Sequence, residues 1–96
     1  MALSEKPEVI VDDRELKSPT IKYLIALDIL VVPKRLDIAD IIIDNNVAIE
    51  RKTAEDFESS LLDGRLFSQA DELSRTFPSP LLAIIGNNFF LSLIHF

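Results

Sequence analysis

The sequence predicts an α/β sandwich built around a mixed β-sheet. Three observations carry that expectation. Short β-branched runs, Val9-Ile10-Val11, Ile41-Ile42-Ile43 and Val47-Ala48-Ile49, recur along the 96 residues and read as buried strands. Other segments repeat apolar residues at three- and four-residue spacing behind recognisable helix starts. The elements run strand, helix, strand, hairpin, helix, helix, strand, an order that layers helices on a sheet.

Taken in order, Glu8 to Asp12 is a first strand, apolar at its centre and ending in acids. Ser18-Pro19 opens the first helix: serine caps free amides, and proline suits the first helical position, where its missing N–H costs nothing. Ile21, Leu24 and Ile25 follow as one apolar stripe, with Asp28 at the exit. Ile29 to Pro33 is a second strand and Lys34 to Ile38 a connection. Asp40 to Asp44 and Val47 to Lys52 form a hairpin. Thr53 with Asp56 three residues on resembles a capping box, with aspartate where glutamate or glutamine is usual. It opens a helix bearing Ala54, Phe57 and Leu61 on one face, closed by Asp63-Gly64. The next helix carries Leu66, Ala70, Leu73 and Phe77 on one side and stops at Phe77-Pro78. Leu81 to Ile85 is another buried strand. Asn87-Asn88 then reads as a turn, and Phe89 to Phe96 is almost wholly apolar. A last strand, a partner-binding segment and the stump of a longer domain all satisfy that pattern.

Composition bounds the function. Ninety-six residues, 48% hydrophobic, make one small domain with a real core. No apolar run approaches the ~20 residues of a membrane span, so no membrane association is expected. Met1 to Lys6 lacks the apolar run of a signal peptide, and there are no cysteines; both fit a cytoplasmic protein. Zero cysteines exclude disulfides and thiolate metal sites, and the lone His95 leaves no histidine triad.

The chemistry concentrates in residues 40 to 56. Side chains alternate along a strand, so Glu50 and Lys52 share a face. A carboxylate there can hold a hard divalent cation, and the neighbouring ammonium can orient an attacking water or offset phosphate charge. Asp40, from the preceding strand, supplies a second carboxylate. A Glu-x-Lys pair alone is more often a solvated face, but here apolar runs on both strands carry the charges towards a core, where they are costly unless paired or metal-bound.

This arrangement makes one geometric demand. Asp40 and Glu50 face each other only if the hairpin loop is odd, most simply Asp44-Asn45-Asn46 with Asn46 left-handed. A two-residue Asn45-Asn46 turn would set Asp40 against Arg51 and move the side chains to opposite faces.

Val11-Asp12-Asp13-Arg14-Glu15, Ile38-Ala39-Asp40 and Glu50-Arg51-Lys52-Thr53-Ala54-Glu55-Asp56 together resemble the nuclease domain of the XPF/Hef structure-specific endonucleases, particularly their archaeal members. Leu62-Asp63-Gly64-Arg65-Leu66-Phe67, with Gln69, extends the similarity, which covers residues 8 to about 85. The resemblance implies a single nuclease domain over residues 1–96 with a restriction-endonuclease-like fold. It implies magnesium-dependent cleavage, with manganese able to substitute, of branched, flap or fork DNA at junctions of single and double strands. Asp12, Asp40 and Glu50 would be metal ligands, and Lys52 would position the nucleophilic water or the scissile phosphate. Arg14, Glu15, Arg51 and Asp56 would complete the essential set in supporting roles, and Arg65 would contact the DNA backbone. It further implies a homodimer or heterodimer, a sliding clamp or other repair protein as partner, and association with an archaeal nucleoid.

The same residues have plainer readings. Asp12 can be a turn acid or a partner for Arg14, and Arg14 with Glu15 a surface ion pair of little worth. Arg51 alternates away from Glu50 and Lys52, which suits an anchor. Asp56 can be a cap alone, and Arg65 as readily faces solvent as phosphate. Three departures from the family pattern stand out. Ala39 replaces the usual glycine before the aspartate, which matters if the backbone there needs positive φ. Ile85-Gly86 stands where a glutamate-glycine pair is usual. The chain stops at Phe96, without the remaining nuclease-domain helices or tandem helix-hairpin-helix motifs.

The net charge of −6 is unusual for a nucleic-acid binder. Setting aside Asp12, Glu15, Asp40, Glu50 and Asp56 brings it to −1, so most of the excess lies where cations would reverse the local sign. Another domain or subunit is then expected to supply DNA affinity. Two further readings remain open: a non-catalytic or truncated nuclease-like module that binds DNA or protein, and a junction resolvase-type nuclease on the same fold.

Overall fold

A computed structural model describes residues 8–86 and 89–95. Six strands form one mixed sheet in the order β2-β1-β3-β4-β5-β6. β1 (Glu8–Asp12) leads through a 3₁₀ turn, Asp13–Glu15, into α1 (Pro19–Ala26). β2 (Leu30–Lys34) pairs parallel to β1, and β3 (Ile41–Ile43) pairs antiparallel to it on the other side. β4 (Val47–Thr53) returns antiparallel to β3, then α2 (Ala54–Asp63) and α3 (Arg65–Thr76) cross over to β5 (Ser79–Gly86), parallel to β4. β6 (Phe89–His95) completes the sheet against β5. The apolar tail is thus a strand, while the expected turn at Asn87-Asn88 lies outside the described residues. No helix among the described residues is long and apolar enough to cross a membrane.

Strand alternation divides the core in two. On one face Val9, Val11 and Ile41 pack with Ile21 of α1, and Leu24, Ile29, Ile43 and Ile49 close around them. On the other, Ile42, Ala48 and Ala39 pack with Leu73 of α3, flanked by Ile10, Leu36 and Phe77. Burying such side chains stabilises by roughly 1.5–3 kcal/mol each, and here it clamps the central strands from both sides. Only part of the stripe expected on α1 is inside. Ile21 is fully buried, whereas Ile25 is 60% exposed, because the short helix rests on β1 and β2 along one edge. On α2 the fully buried residue is Ser60, its hydroxyl donating to the Phe57 carbonyl at 3.1 Å; Leu61 is partly exposed.

Helix ends follow their local chemistry. Ser18 Oγ accepts from the Ile21 amide, and Thr53 Oγ1 from the Asp56 amide at 3.1 Å. Gly64 ends α2 in the left-handed region at φ 85°, where a residue without Cβ is favoured.

The hairpin loop is odd. Ile43 pairs with Val47, Ile42 with Ala48 and Ile41 with Ile49, leaving Asp44-Asn45-Asn46 as the connection. The left-handed residues are Asp44 and Asn45, each at φ 54°, rather than the expected Asn46. Asn46 N–H donates back to the Ile43 carbonyl at 3.0 Å, so the turn proper is a two-residue reversal of the type favoured between twisted strands. Asn46 is the additional residue, and its carbonyl accepts from Ser79 N–H at 3.0 Å, tying the turn to the start of β5.

Candidate active site

Three acids arrive at one end of the sheet on its inner strands. Asp12 is the last residue of β1, Asp40 immediately precedes β3, and Glu50 lies in β4. Val11 pairs with Ile41 and Ile41 with Ile49, so the three positions follow one another across the sheet. Asp12 N–H donates to the Asp40 carbonyl at 2.8 Å. Glu50 and Lys52 share parity with Ala48 and stand on the α3 face, while Arg51 points the other way. A cavity of about 360 Å³ opens here, lined by Asp12, Arg14, Glu15, Leu36, Asp37, Ala39, Asp40 and Glu50.

The ladder slips at Asp40. Its N–H donates to the Ile49 carbonyl at 2.9 Å, although Ile49 already stands opposite Ile41. The Arg51 N–H is taken instead by Asp40 Oδ2 at 2.8 Å. That bond fixes the carboxylate against β4 and beside Glu50. The residue before it, Ala39, is buried and left-handed at φ 70°. The glycine-like conformation is therefore required, the alanine adopts it, and Asp40 still faces the cavity.

Burial dominates the electrostatics of this pair. It raises the Asp40 pKa, opposed by the Arg51 amide and guanidinium. It pushes Glu50 up to about 7, with the charge of Asp40 adding to the rise and Lys52 opposing it. Two desolvated carboxylates, one raised further by the charge of the other, form an environment suited to a cation.

Asp12 behaves differently. Its Oδ2 accepts from Arg14 Nε at 2.6 Å and its Oδ1 from Leu36 N–H at 3.1 Å. Arg14 beside it holds its carboxyl below the usual range, despite burial. Both oxygens are engaged. No three histidine, cysteine, aspartate or glutamate side chains among the described residues gather closely enough to form a ready metal cage. Each Asp12 oxygen keeps a further lone pair, and Asp40 and Glu50 stand beside Asp12 in the cavity lining.

The comparisons with known proteins bear on the whole constellation. A family model described as the ERCC4 domain matches residues 11–94, a span that contains Asp12, Glu15, Asp40, Glu50 and Lys52. The chain belongs to the ERCC4 domain family. XPF from Aeropyrum pernix, solved in complex with DNA, matches with a TM-score of 0.77 at 38% identity, over 86% of this chain and 42% of that one. The 3′-flap repair endonuclease Xpf of Saccharolobus solfataricus is 37% identical over 79 residues, covering 82% of this chain and 34% of its own length. The DNA repair endonuclease XPF of Drosophila melanogaster is 36% identical over 85 residues, 86% of this chain and 9% of its own. The chain thus spans less than half of each of these relatives. The sheet and helices of this ERCC4 domain are those of the XPF nuclease fold, the restriction-endonuclease-like α/β architecture that the motif implied.

The remaining residues singled out from the sequence lie around the ERCC4-domain cavity. Glu15 lines it and forms an ion pair with Arg51; both side chains are about three-quarters buried. Lys52 follows on the Glu50 face. Asp56 is exposed in the first turn of α2 and Arg65 is exposed at the start of α3, both outside the cavity lining. Arg65 Nε donates to Asp63 Oδ2 at 2.7 Å. Sequence reasoning passed over Leu36 and Asp37, treating their segment as a mere connection. The signal available was Asp37, an acid three residues before Asp40 in the strand approach.

Proposed function

We propose that this ERCC4 domain is the catalytic domain of a divalent-metal-dependent endonuclease that cleaves branched DNA, flaps and forks. The carrying observation is the meeting of Asp40 and Glu50, half-buried and both raised in pKa, on adjacent strands with Lys52 on the same face. Their hard oxygen donors fit magnesium, with manganese as a substitute. Magnesium keeps several waters and takes only one or two protein carboxylates, so the engagement of Asp12 elsewhere is compatible with it.

In this mechanism Asp40 and Glu50 would hold the ion, and the Arg51 amide keeps Asp40 oriented. Lys52 directs its ammonium at the attacking water or the scissile phosphate. Burial keeps bulk water from competing for these contacts. The cation, when bound, would supply Lewis-acid stabilisation of the developing phosphate charge. A net charge of −6 gives the domain little attraction for DNA. Grip on the duplex is therefore assigned to a second subunit, identical or related, or to a further repair partner such as a sliding clamp.

The test is cleavage of fluorescently labelled flap, fork and four-way-junction DNA with magnesium or manganese. Flaps and forks should be cut ahead of four-way junctions. Asp40→Asn and Glu50→Gln should each reduce the rate by roughly 10²–10³-fold, the size of effect seen when a preorganised electrostatic group is removed. Absence of cutting at high protein concentration, with both variants indistinguishable from the parent, would reject the enzymatic reading. A preference for four-way junctions would favour a resolvase instead.

A further inference from the structure

The Asp12–Glu15 segment does more than border the cavity. Asp12 Oδ1 accepts from the Leu36 amide at 3.1 Å, and Arg14 Nη2 donates to the Leu36 carbonyl at 2.8 Å. Arg14 Nε joins the two side chains at 2.6 Å. The backbone polar groups of Leu36 are therefore gripped from both sides by one ion pair. Next door, Arg35 Nε donates to Asp13 Oδ1 at 2.8 Å, a second tie between the same two segments. The held stretch runs directly into left-handed Ala39 and Asp40.

We infer that Asp12 and Arg14 are positioning residues, forming a clasp on Leu36 that sets the approach to Asp40. The inference rests on the nuclease reading for its consequence and on the hydrogen bonds for its geometry. Three physical points support it. Both Asp12 oxygens already accept good hydrogen bonds, one of them charge-assisted, and such bonds are the strong ones. The Asp12 side chain is almost fully buried, so breaking the clasp would strand a charge in a dry place. The connection from β2 to β3 has no helix or strand of its own, so its shape depends on such side-chain ties. Left-handed Ala39 adds a conformational cost that they must help to hold.

The experiment measures manganese affinity by electron paramagnetic resonance on the full chain, alongside amide hydrogen exchange at Leu36 with Val11 and Ala48 as core references. The informative variant is Arg14→Gln, because it opens the clasp while every carboxylate of the cavity stays in place. If Arg14 acts only through its charge, its removal deletes a positive group near Asp40 and manganese binds more tightly. If the clasp positions Asp40, affinity falls by about 10–100-fold, the usual cost of losing an orienting partner. Exchange at Leu36 then accelerates while the core amides stay protected. Asp12→Asn should weaken manganese binding in either case and serves as the reference.

Tighter or unchanged manganese binding in Arg14→Gln, or unchanged exchange at Leu36, overturns the inference. Should the parent bind no manganese, the nuclease reading fails separately, and Leu36 exchange alone decides whether the clasp exists. If Arg14→Gln does not fold, Arg14→Lys replaces it. A single ammonium cannot reproduce the planar fork that reaches both partners, so the same signs apply with smaller shifts.

Discussion

Asp40 accepts the Arg51 backbone amide at 2.8 Å through its side chain, where a regular ladder would offer a main-chain carbonyl. One carboxylate thereby repairs the break in sheet pairing and is itself aimed at the neighbouring strand. Glu50, an acid of the same cavity, meets the consequences of that placement.

The Glu50 pKa rises from 4.5 to about 7 in the folded protein, through burial first and Asp40 second. Between those values the native state holds a proton that the unfolded chain has released. Stability of the metal-free protein should therefore fall as pH rises from about 4.5 to about 7, and level off above. After allowance for solvent screening of a part-exposed group, the loss is on the order of 1–2 kcal/mol. Glu50→Gln should flatten this dependence. Urea melts in chelator at pH 5, 6, 7 and 8 check it, and stability that climbs over this range would contradict it.

Lys52 lowers the pKa of Glu50 against the pull of burial. Replacing it with glutamine should drive Glu50 still higher and shift the acid limb of the pH–rate profile towards alkali. Cleavage should fall by roughly 10²-fold, with manganese binding at pH 8.5 no weaker than in the parent. A large loss of manganese affinity at that pH would mean that Lys52 shapes the ligand geometry instead.

Ala39 holds φ 70° with its side chain buried. Alanine in the left-handed region costs roughly 1–2 kcal/mol, and glycine recovers it less the greater freedom of its unfolded chain. Ala39→Gly should stabilise by about 0.5–1 kcal/mol in chemical denaturation. A destabilised variant would show that the methyl's packing outweighs the backbone strain.

Gly64 is the converse case. It sits at φ 85°, and a Cβ built there would meet nothing within 4 Å. The penalty of Gly64→Ala should then be conformational alone, about 1 kcal/mol, with the crossing of α2 and α3 unchanged in a crystal structure of the variant.

Much of this architecture was legible from residue order. Val9-Ile10-Val11, Ser18-Pro19, Thr53 and Gly64 announce their elements through chemistry acting over a few residues, and each acts as expected. The odd hairpin followed from asking which register lets Asp40 meet Glu50. Which residue turned left-handed did not follow, because Asp44, Asn45 and Asn46 all tolerate that conformation and pairing to Ser79 helps to choose among them. The exposure of Ile25 was hidden for a similar reason: helix periodicity shows a stripe, and tertiary packing sets how wide it is. The commitment of Asp12 was the least legible. Its partner is a backbone group 24 residues away, and local sequence carries no mark of main-chain contacts at that range.

The three acids stand on β1, at the entry to β3 and on β4, with β2 on one flank and β5 and β6 on the other. Growth beyond the free edge of β6 would add pairing without realigning the carboxylates, which are registered against one another inside. Assembly and chemistry are thus mechanically insulated, and lineages of this fold are free to change their companions while the same carboxylates stay in line.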